Sequence, residues 1–331
     1  MSANAEGDRV QFFDVLRAIA IILVIGTHYR HATFPGGSIG VSIFFCLSGY
    51  LITSILLKED RLDFASVWRF LLRRFLRVYP AYVVAILVNF GLMIYVGSPL
   101  VDDLIHALPA LLSFTYQRDG DAWLGMGVGV FWTLKVEFWF YVLMPLFMLV
   151  FGRGRLFVAI IALLLVGLTA YQLAADQPFF VAWGTNLFTG TLLAVAVQRN
   201  ALRPLAGRYE IFSAISFGLL LLIAVFVPND DRQFVWPLEA LIASILTAVW
   251  LGSYLAQSRA LMLPLVAWLG RISYSVYLLH AIPLDHIGKV PFFRFTLGGL
   301  LVALVCAVLM HYLIEKPFIR LAKRMTSRNS F

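Results

Sequence analysis

Ten runs of mostly apolar residues divide the 331-residue chain: 10–28, 39–57, 78–96, 132–151, 156–174, 180–197, 211–228, 234–256, 263–283 and 293–315. A helix rises about 1.5 Å per residue, so about 20 apolar residues match the ~30 Å hydrocarbon core of a bilayer. Hydrocarbon offers no partner to a bare N–H or C=O, which leaves the helix as the way for such a run to cross. The expected fold is therefore all-α, a polytopic integral membrane protein with about ten transmembrane helices. With 61% hydrophobic and only 13% charged residues and a mean hydropathy of +0.86, the chain lies far from the soluble range of about 45–50% and about 25%. A water-soluble enzyme, a disordered chain and a disulfide-stapled secreted module are excluded.

The basic residues set the orientation. If the N-terminus is cytoplasmic, 18 of the 26 Lys and Arg fall on inner segments and five, Arg30, Arg118, Arg232, Lys289 and Arg294, on the opposite side. Arg17, Lys135 and Arg271 lie within spans. This asymmetry predicts both termini in the cytoplasm. The net charge of +8 fits loops against anionic lipid and gives no reason to invoke nucleic acid. The leader MSANAEGDRV is mixed in charge, and Asp14 and Arg17 interrupt the following run, unlike a cleaved signal peptide. The longest stretch outside the spans, 97–131, belongs to the outer side and ends in GMGVG. Residues 1–331 read as one membrane domain without an appended soluble one. Cys46 and Cys306 lie in apolar runs and read as reduced packing residues.

A charge at the bilayer centre costs roughly 2.5–3.5 kcal/mol on insertion scales, so each one left there needs a reason. Counting along the spans gives two tiers. His28, Lys135, Glu137 and His280 form an outer tier; Arg17 and Arg271 form an inner one. Arg17 and His28 are eleven residues apart, three helical turns, and share a face. Residues 64–77, FASVWRFLLRRFLR, form an amphipathic stretch with arginines at 69, 73, 74 and 77. Such a stretch suits anchoring to anionic headgroups, and arginine forks also suit bidentate phosphate binding. Nothing has the spacing of HExxH or CxxC, and no metal is expected. His31, His106, His286 and His311 lack ligand-like spacing. Trp123, Trp132, Trp139, Trp236 and Trp268 read as interface anchors, and Glu315 and Pro317 as the end of the last span.

These residues also carry a pattern. Span one reads FDVLRAIAIILVIGTHYRH, with Arg17 and His28; span two reads GVSIFFCLSGYLIT. RRFLRVYPAY, FWTLKVEFWFY, RISYSVYLLH and EKPF follow in order. Together they resemble the acyltransferase family 3 proteins, polytopic enzymes that move acyl groups, most often acetyl, from cytoplasmic acyl-CoA onto cell-envelope sugars. The resemblance covers residues 12–318. It implies that Arg17 and His28 are the central pair, that Arg73, Arg74 and Arg77 serve acyl-CoA, and that Glu137 is needed. Ser48, Gly49 and Tyr50 match the family's second-span motif, either as part of the substrate site or as close packing. The implied partners are acyl-CoA, acetyl-CoA first, a glycan or lipid-linked glycan such as O-antigen or exopolysaccharide, and the lipids of a bacterial inner membrane.

On that expectation His28 is a general base or transient acyl acceptor, Arg17 guides the thioester or stabilises its oxyanion, and Glu137 orients His28. His280 is a second polar group for the acceptor, or a packing residue. Structural alternatives stand beside these roles: Arg17 as the partner of Asp14 three residues away, and Glu137 as the counter-ion of Lys135 or Arg271. A multipass glycan transporter or flippase is the alternative function, since it too uses buried Arg and Glu.

Overall fold

The computed structural model describes residues 3–29, 36–37, 39–116, 124–174, 179–202, 208–226, 235–257, 264–286, 289 and 296–326. Expectations about His31, Trp123 and the outer charges Arg30, Arg118, Arg232 and Arg294 fall outside these residues, as does the side chain of Trp236. The described chain is helical: α1 (Ala3–Tyr29), α2 (Ile39–Lys58), α3 (Phe64–Tyr95), α4 (Val101–Leu112), α5 (Met126–Gly129), α6 (Trp132–Phe151) and α7 (Arg155–Ala174). Then come α8 (Phe179–Gln198), α9 (Tyr209–Phe226), α10 (Val235–Gln257), α11 (Pro264–Leu279), α12 (Ile282–Asp285), α13 (Thr296–Met310), a π turn at His311–Glu315, and α14 (Lys316–Met325). A helix occupies each of the ten expected runs. Six helical stretches among the described residues are long and apolar enough to cross a bilayer: Gln11–Tyr29, Ile39–Lys58, Phe64–Tyr95, Gly127–Phe151, Pro264–Asp285 and Leu297–Met325. Shorter apolar helices cover Arg155–Tyr171, Glu210–Phe226 and Leu241–Ser253.

The helices gather into two compact units. One comprises Met1–Leu62 and Leu143–Arg271; the other comprises Asp63–Val142 and Ile272–Phe331. In the first, α2 lies against α8 at very short range because glycine stands at both sides of the contact. A Cβ on Gly49 would strike the Leu187 carbonyl, and one on Gly190 would strike the Cys46 carbonyl. This is the small-residue packing that substitutes for a hydrophobic drive in lipid. Close approach then lets polar side chains meet: Thr53 donates to Thr191 at 3.0 Å, and Asn186 donates to Ser42 at 3.3 Å. Gly40 brings α2 against the Ala20 carbonyl of α1 in the same way. The orphan carbonyls after α2 are taken up by Arg153, which donates to Glu59 O at 2.6 Å and to Asp60 O at 3.3 Å.

In the second unit the amphipathic stretch and the third span are one 32-residue helix, α3. It starts at a capping box in which Asp63 accepts from Ser66 N and Ser66 Oγ accepts from Asp63 N. The 97–131 stretch holds α4, which ends in an unusual way. Phe114 adopts φ 55°, a left-handed conformation that glycine normally supplies at a helix C-terminus. Its ring lies between those of Tyr82 at 4.9 Å and Phe138 at 4.5 Å, both stacked. The helix closes with Thr115 N donating to Ala110 O at 2.8 Å and Phe114 N to Leu111 O at 3.0 Å, a pair of bonds that needs this left-handed residue, and the stacked rings accompany it.

Three expectations are corrected here. EKPF does not end the helix: the chain passes through the π turn, and α14 continues from Lys316 with Pro317 in its first turn, where proline loses no bond. Trp132 is buried and is no interface anchor. Cys306 is exposed, and only Cys46 is a buried packing residue.

The glycine contacts generate a graded test. Gly49→Ala and Gly190→Ala should each lower the thermal midpoint of the detergent-purified protein markedly. Gly91→Ala, whose added Cβ meets nothing within 4 Å, should leave the midpoint unchanged or raise it slightly. Equal tolerance at all three positions would contradict the α2–α8 packing.

Candidate functional site

Each unit carries a polar cluster. In the first, Asp14 is buried on α1, one helical turn from Arg17, and accepts from Arg17 Nη1 at 2.8 Å. Its other oxygen lies 3.9 Å from Arg271 Nη1. Gly270 permits this, because its α-carbon side rests directly on the Asp14 carbonyl. The expected inner tier of Arg17 and Arg271 is thus gathered on one carboxylate. Toward the other end of α1, His28 is half-buried, and its Nδ1 lies 2.8 Å from the Val24 carbonyl. A carbonyl can only accept, so Nδ1 carries the proton and Nε2 is the basic nitrogen. Tyr50 is buried with its ring 5.8 Å from Phe13, and Ser48 is half-buried on the same helix, α2.

In the second unit the arginines 73, 74 and 77 of α3 have different surroundings. Arg73 is exposed and reaches Thr326 just beyond α14, through Nε to Oγ1 at 2.5 Å and Nη2 to the carbonyl at 3.0 Å. Arg74 turns inward. Its guanidinium lies 5.6 Å from the Phe70 ring centre and 5.5 Å from that of Tyr141, in cation–π range. Tyr141 is in hydrogen-bonding reach of both Arg74 and Glu137. Arg77 is half-buried and lies close enough to act electrostatically on Arg74 and Tyr141. Lys135 donates to the Thr115 carbonyl at 3.4 Å, whereas Glu137 faces Tyr141, Arg74 and Tyr274.

Around this cluster stand residues to which the sequence pattern assigns no chemical role. Glu315 is buried, accepting from His311 Nδ1 at 2.8 Å and from Ser275 Oγ at 3.0 Å. Tyr274 donates to the Val78 carbonyl at 2.8 Å and feels both Glu315 and Glu137. The sequence signals were present: Tyr141 is one turn beyond Glu137, and His311 one turn before Glu315. His280 is fully buried, and its Nδ1 donates to Tyr277 O at 2.7 Å. Tyr277 in turn donates to Val130 O at 2.6 Å and lies 2.7 Å from Thr133 Oγ1, which fixes the start of α6 below which Glu137 sits. Asp285 accepts from Gly127 N at 2.7 Å, pinning the glycine-rich stretch in front of α6. Beside it His286 lies 3.4 Å from Asn89 Oδ1, and burial pushes its imidazole below the ordinary histidine value. The neutral ring is therefore the form that favours the fold, and acidification weakens this corner. Among the described residues, no three His, Cys, Asp or Glu side chains gather as a metal would need.

Comparison with known proteins adds identity to this geometry. The family model described as an acyltransferase domain, that of acyltransferase family 3, matches residues 10–314. The chain is 30% identical over 310 residues to the peptidoglycan O-acetyltransferase OatA of Listeria monocytogenes, covering 82% of this chain and 49% of that protein. It is 29% identical over 364 residues to the Bacillus subtilis protein named "Putative peptidoglycan O-acetyltransferase YrhL", covering 96% and 56%. The chain spans about half the length of these curated relatives. No solved structure matches it. With nearly its whole helical body inside the family match, the chain belongs to the acyltransferase family 3.

Proposed function

We propose that this chain is a multipass membrane O-acyltransferase that moves an acetyl group from cytoplasmic acetyl-CoA to a hydroxyl of an envelope glycan, peptidoglycan first. The observation that carries the reading is the family match over residues 10–314 together with relatives named for peptidoglycan O-acetylation. O-antigen and exopolysaccharide are the other acceptors of the same chemistry. The proposed setting is a bacterial inner membrane, with about ten crossings and both termini in the cytoplasm, as the 18-to-5 distribution of basic residues favours.

The chemistry has a problem of sides. Acyl-CoA is charged and cytoplasmic, while the glycan hydroxyl is presented outside, so donor and base must work from opposite ends of the helical body. His28 supplies the base. Its Nδ1–H is held by Val24 O, so Nε2 is oriented to take the proton of the attacking hydroxyl. The hydroxyl oxygen bonds the thioester carbonyl carbon, the carbon–sulfur bond breaks, and the CoA thiolate leaves and is protonated. Arg17, kept from wandering by Asp14, is suited to stabilise the oxyanion between these events. Transfer through an acyl-His28 intermediate uses the same residues in two steps.

Arg73 and Arg77 offer charge for the CoA phosphates, and Arg74 holds Tyr141 and Glu137 in place behind them. Glu137 is proposed to orient the base or stabilise its imidazolium. Ser48, Tyr50 and His280 are proposed as acceptor-side residues. The buried Glu315 acts through Tyr274 as a support of the Glu137 cluster.

Three outcomes are expected. His28→Ala should reduce transfer of labelled acetyl from acetyl-CoA to a muropeptide-containing acceptor by about 10²–10⁴-fold, with the variant still folded by size-exclusion chromatography. Near wild-type turnover would remove His28 from the mechanism, and glycan translocation without acylated product from the wild type would favour a transporter. Arg73→Ala combined with Arg77→Ala should raise the apparent KM for acetyl-CoA and flatten its salt dependence; an unchanged KM returns these residues to lipid anchoring. Glu315→Ala leaves the buried Ser275 and the half-buried His311 without their acceptor and should cost about 1–3 kcal/mol in stability, read as a lower thermal midpoint. Glu315→Gln, which keeps one acceptor oxygen, should recover part of the loss.

A further inference from the structure

An apolar slot of about 360 Å³ opens along α3 in the second unit, a volume within the range of small-ligand pockets. Trp68, Leu72, Phe75, Tyr79, Phe114 and Phe138 supply most of its wall, and Arg74 and Tyr141 border it with their carbon atoms. From Trp68 to Tyr79 it follows eleven residues of helix, about 16 Å, close to half of a ~30 Å hydrocarbon core. Its lip is apolar and open: Trp68 is 66% exposed and Phe75 42%. Arg69 adjoins Trp68 on the same helix, and Arg77 adds positive charge close to Arg74 and Tyr141, outside the apolar lining.

We infer that this slot is a binding site for one acyl chain of an anionic phospholipid, with the lipid phosphate held by the α3 arginines. The lining selects the chain. A carbon wall gives the amides of a pantetheine arm no partners, and burying them unpaired is costly. An acetyl group is far too small to fill the volume. The charges select the head. A phospholipid carries its phosphate only a glycerol away from the start of its chains, so one molecule satisfies the slot and the neighbouring arginines together. In acyl-CoA the phosphates and the acyl group stand at opposite ends of the arm, and it cannot do both here. Trp68 at the lip is the amphipathic residue expected at headgroup depth. Occupancy fills the gap between α3, α6 and Phe114, so the lipid becomes part of the wall against which Arg74, Tyr141 and Glu137 are packed.

The test uses the full chain in phosphatidylcholine vesicles doped with lipid brominated on its acyl chains, either phosphatidylglycerol or phosphatidylcholine. The signal is the tryptophan fluorescence lost on doping in the wild type, less that lost in Trp68→Phe. Quenching of Trp68 should half-saturate at about fivefold lower mole fraction of phosphatidylglycerol, the preference that one arginine at a membrane surface confers. Leu72→Phe combined with Val142→Phe, which fills the slot, should abolish that preference; Arg69→Gln with Arg77→Gln should do so by removing the charge. Equal quenching by both lipids, or an unchanged preference in the filled variant, would mean annular lipid only and would overturn the proposal. As a second measurement, native mass spectrometry of the detergent-purified wild type should retain one phosphatidylglycerol per chain. Retention of long-chain acyl-CoA in its place would assign the slot to the donor and overturn the lipid assignment.

Discussion

Inside hydrocarbon a polar group is costly unless the helices deliver a partner to it, and the two buried carboxylates show how the fold meets that demand locally. Asp14 is held by Arg17 one turn away and approached by Arg271 from α11. Glu315 is held by His311 one turn away and by Ser275 from α11. The two arrangements follow one rule: a buried carboxylate takes its first donor from its own helix and its second from a neighbour. The glycines matter for the same reason. Gly270, Gly49 and Gly190 lower the distance between backbones until short polar side chains can reach across. Packing and polar satisfaction are one problem in this protein, and small residues solve both.

The arginine-rich start of α3 shows how helical geometry separates neighbours in sequence. Arg73 and Arg74 are adjacent, yet a step of about 100° about the axis sends one to Thr326 and the other to Tyr141 and Phe70. Only part of what reads as one basic cluster is available to an external phosphate. The inward arginine places a positive charge near the half-buried Glu137, and Tyr141 lies in hydrogen-bonding reach of both.

Most of the helical layout was legible in the sequence, because bilayer thickness sets run length and the apolar runs stand out against so few charges. The pairing of Arg17 with Asp14 was legible as an i,i+3 relation. The second cluster was harder to see. Tyr141 and Tyr274 sit in apolar runs where a tyrosine reads as an interface anchor, and their hydroxyl partners come from other helices. Glu315 and Pro317 read as a helix end because they stand where the last apolar run gives way to basic residues. Proline only forbids a helix that needs its N–H, and after a π turn that position lies in a fresh first turn. Phe114 gave no signal at all: a helix closure of this kind normally uses glycine, and here a phenylalanine stacked between Tyr82 and Phe138 takes the place.

The π turn at His311–Glu315 closes with Lys316 N donating to His311 O, one residue more than an α-helical turn contains. An added residue acts as a phase shift of roughly 100° for everything that follows. The helix after it therefore presents a different face from the one that α13 would have propagated. That rotation decides whether the segment ending at Thr326 meets Arg73 or turns its back on α3. A local irregularity of one residue thus works as an angular setting. It couples the buried carboxylate of Glu315 to the orientation of the basic amphipathic end of the chain.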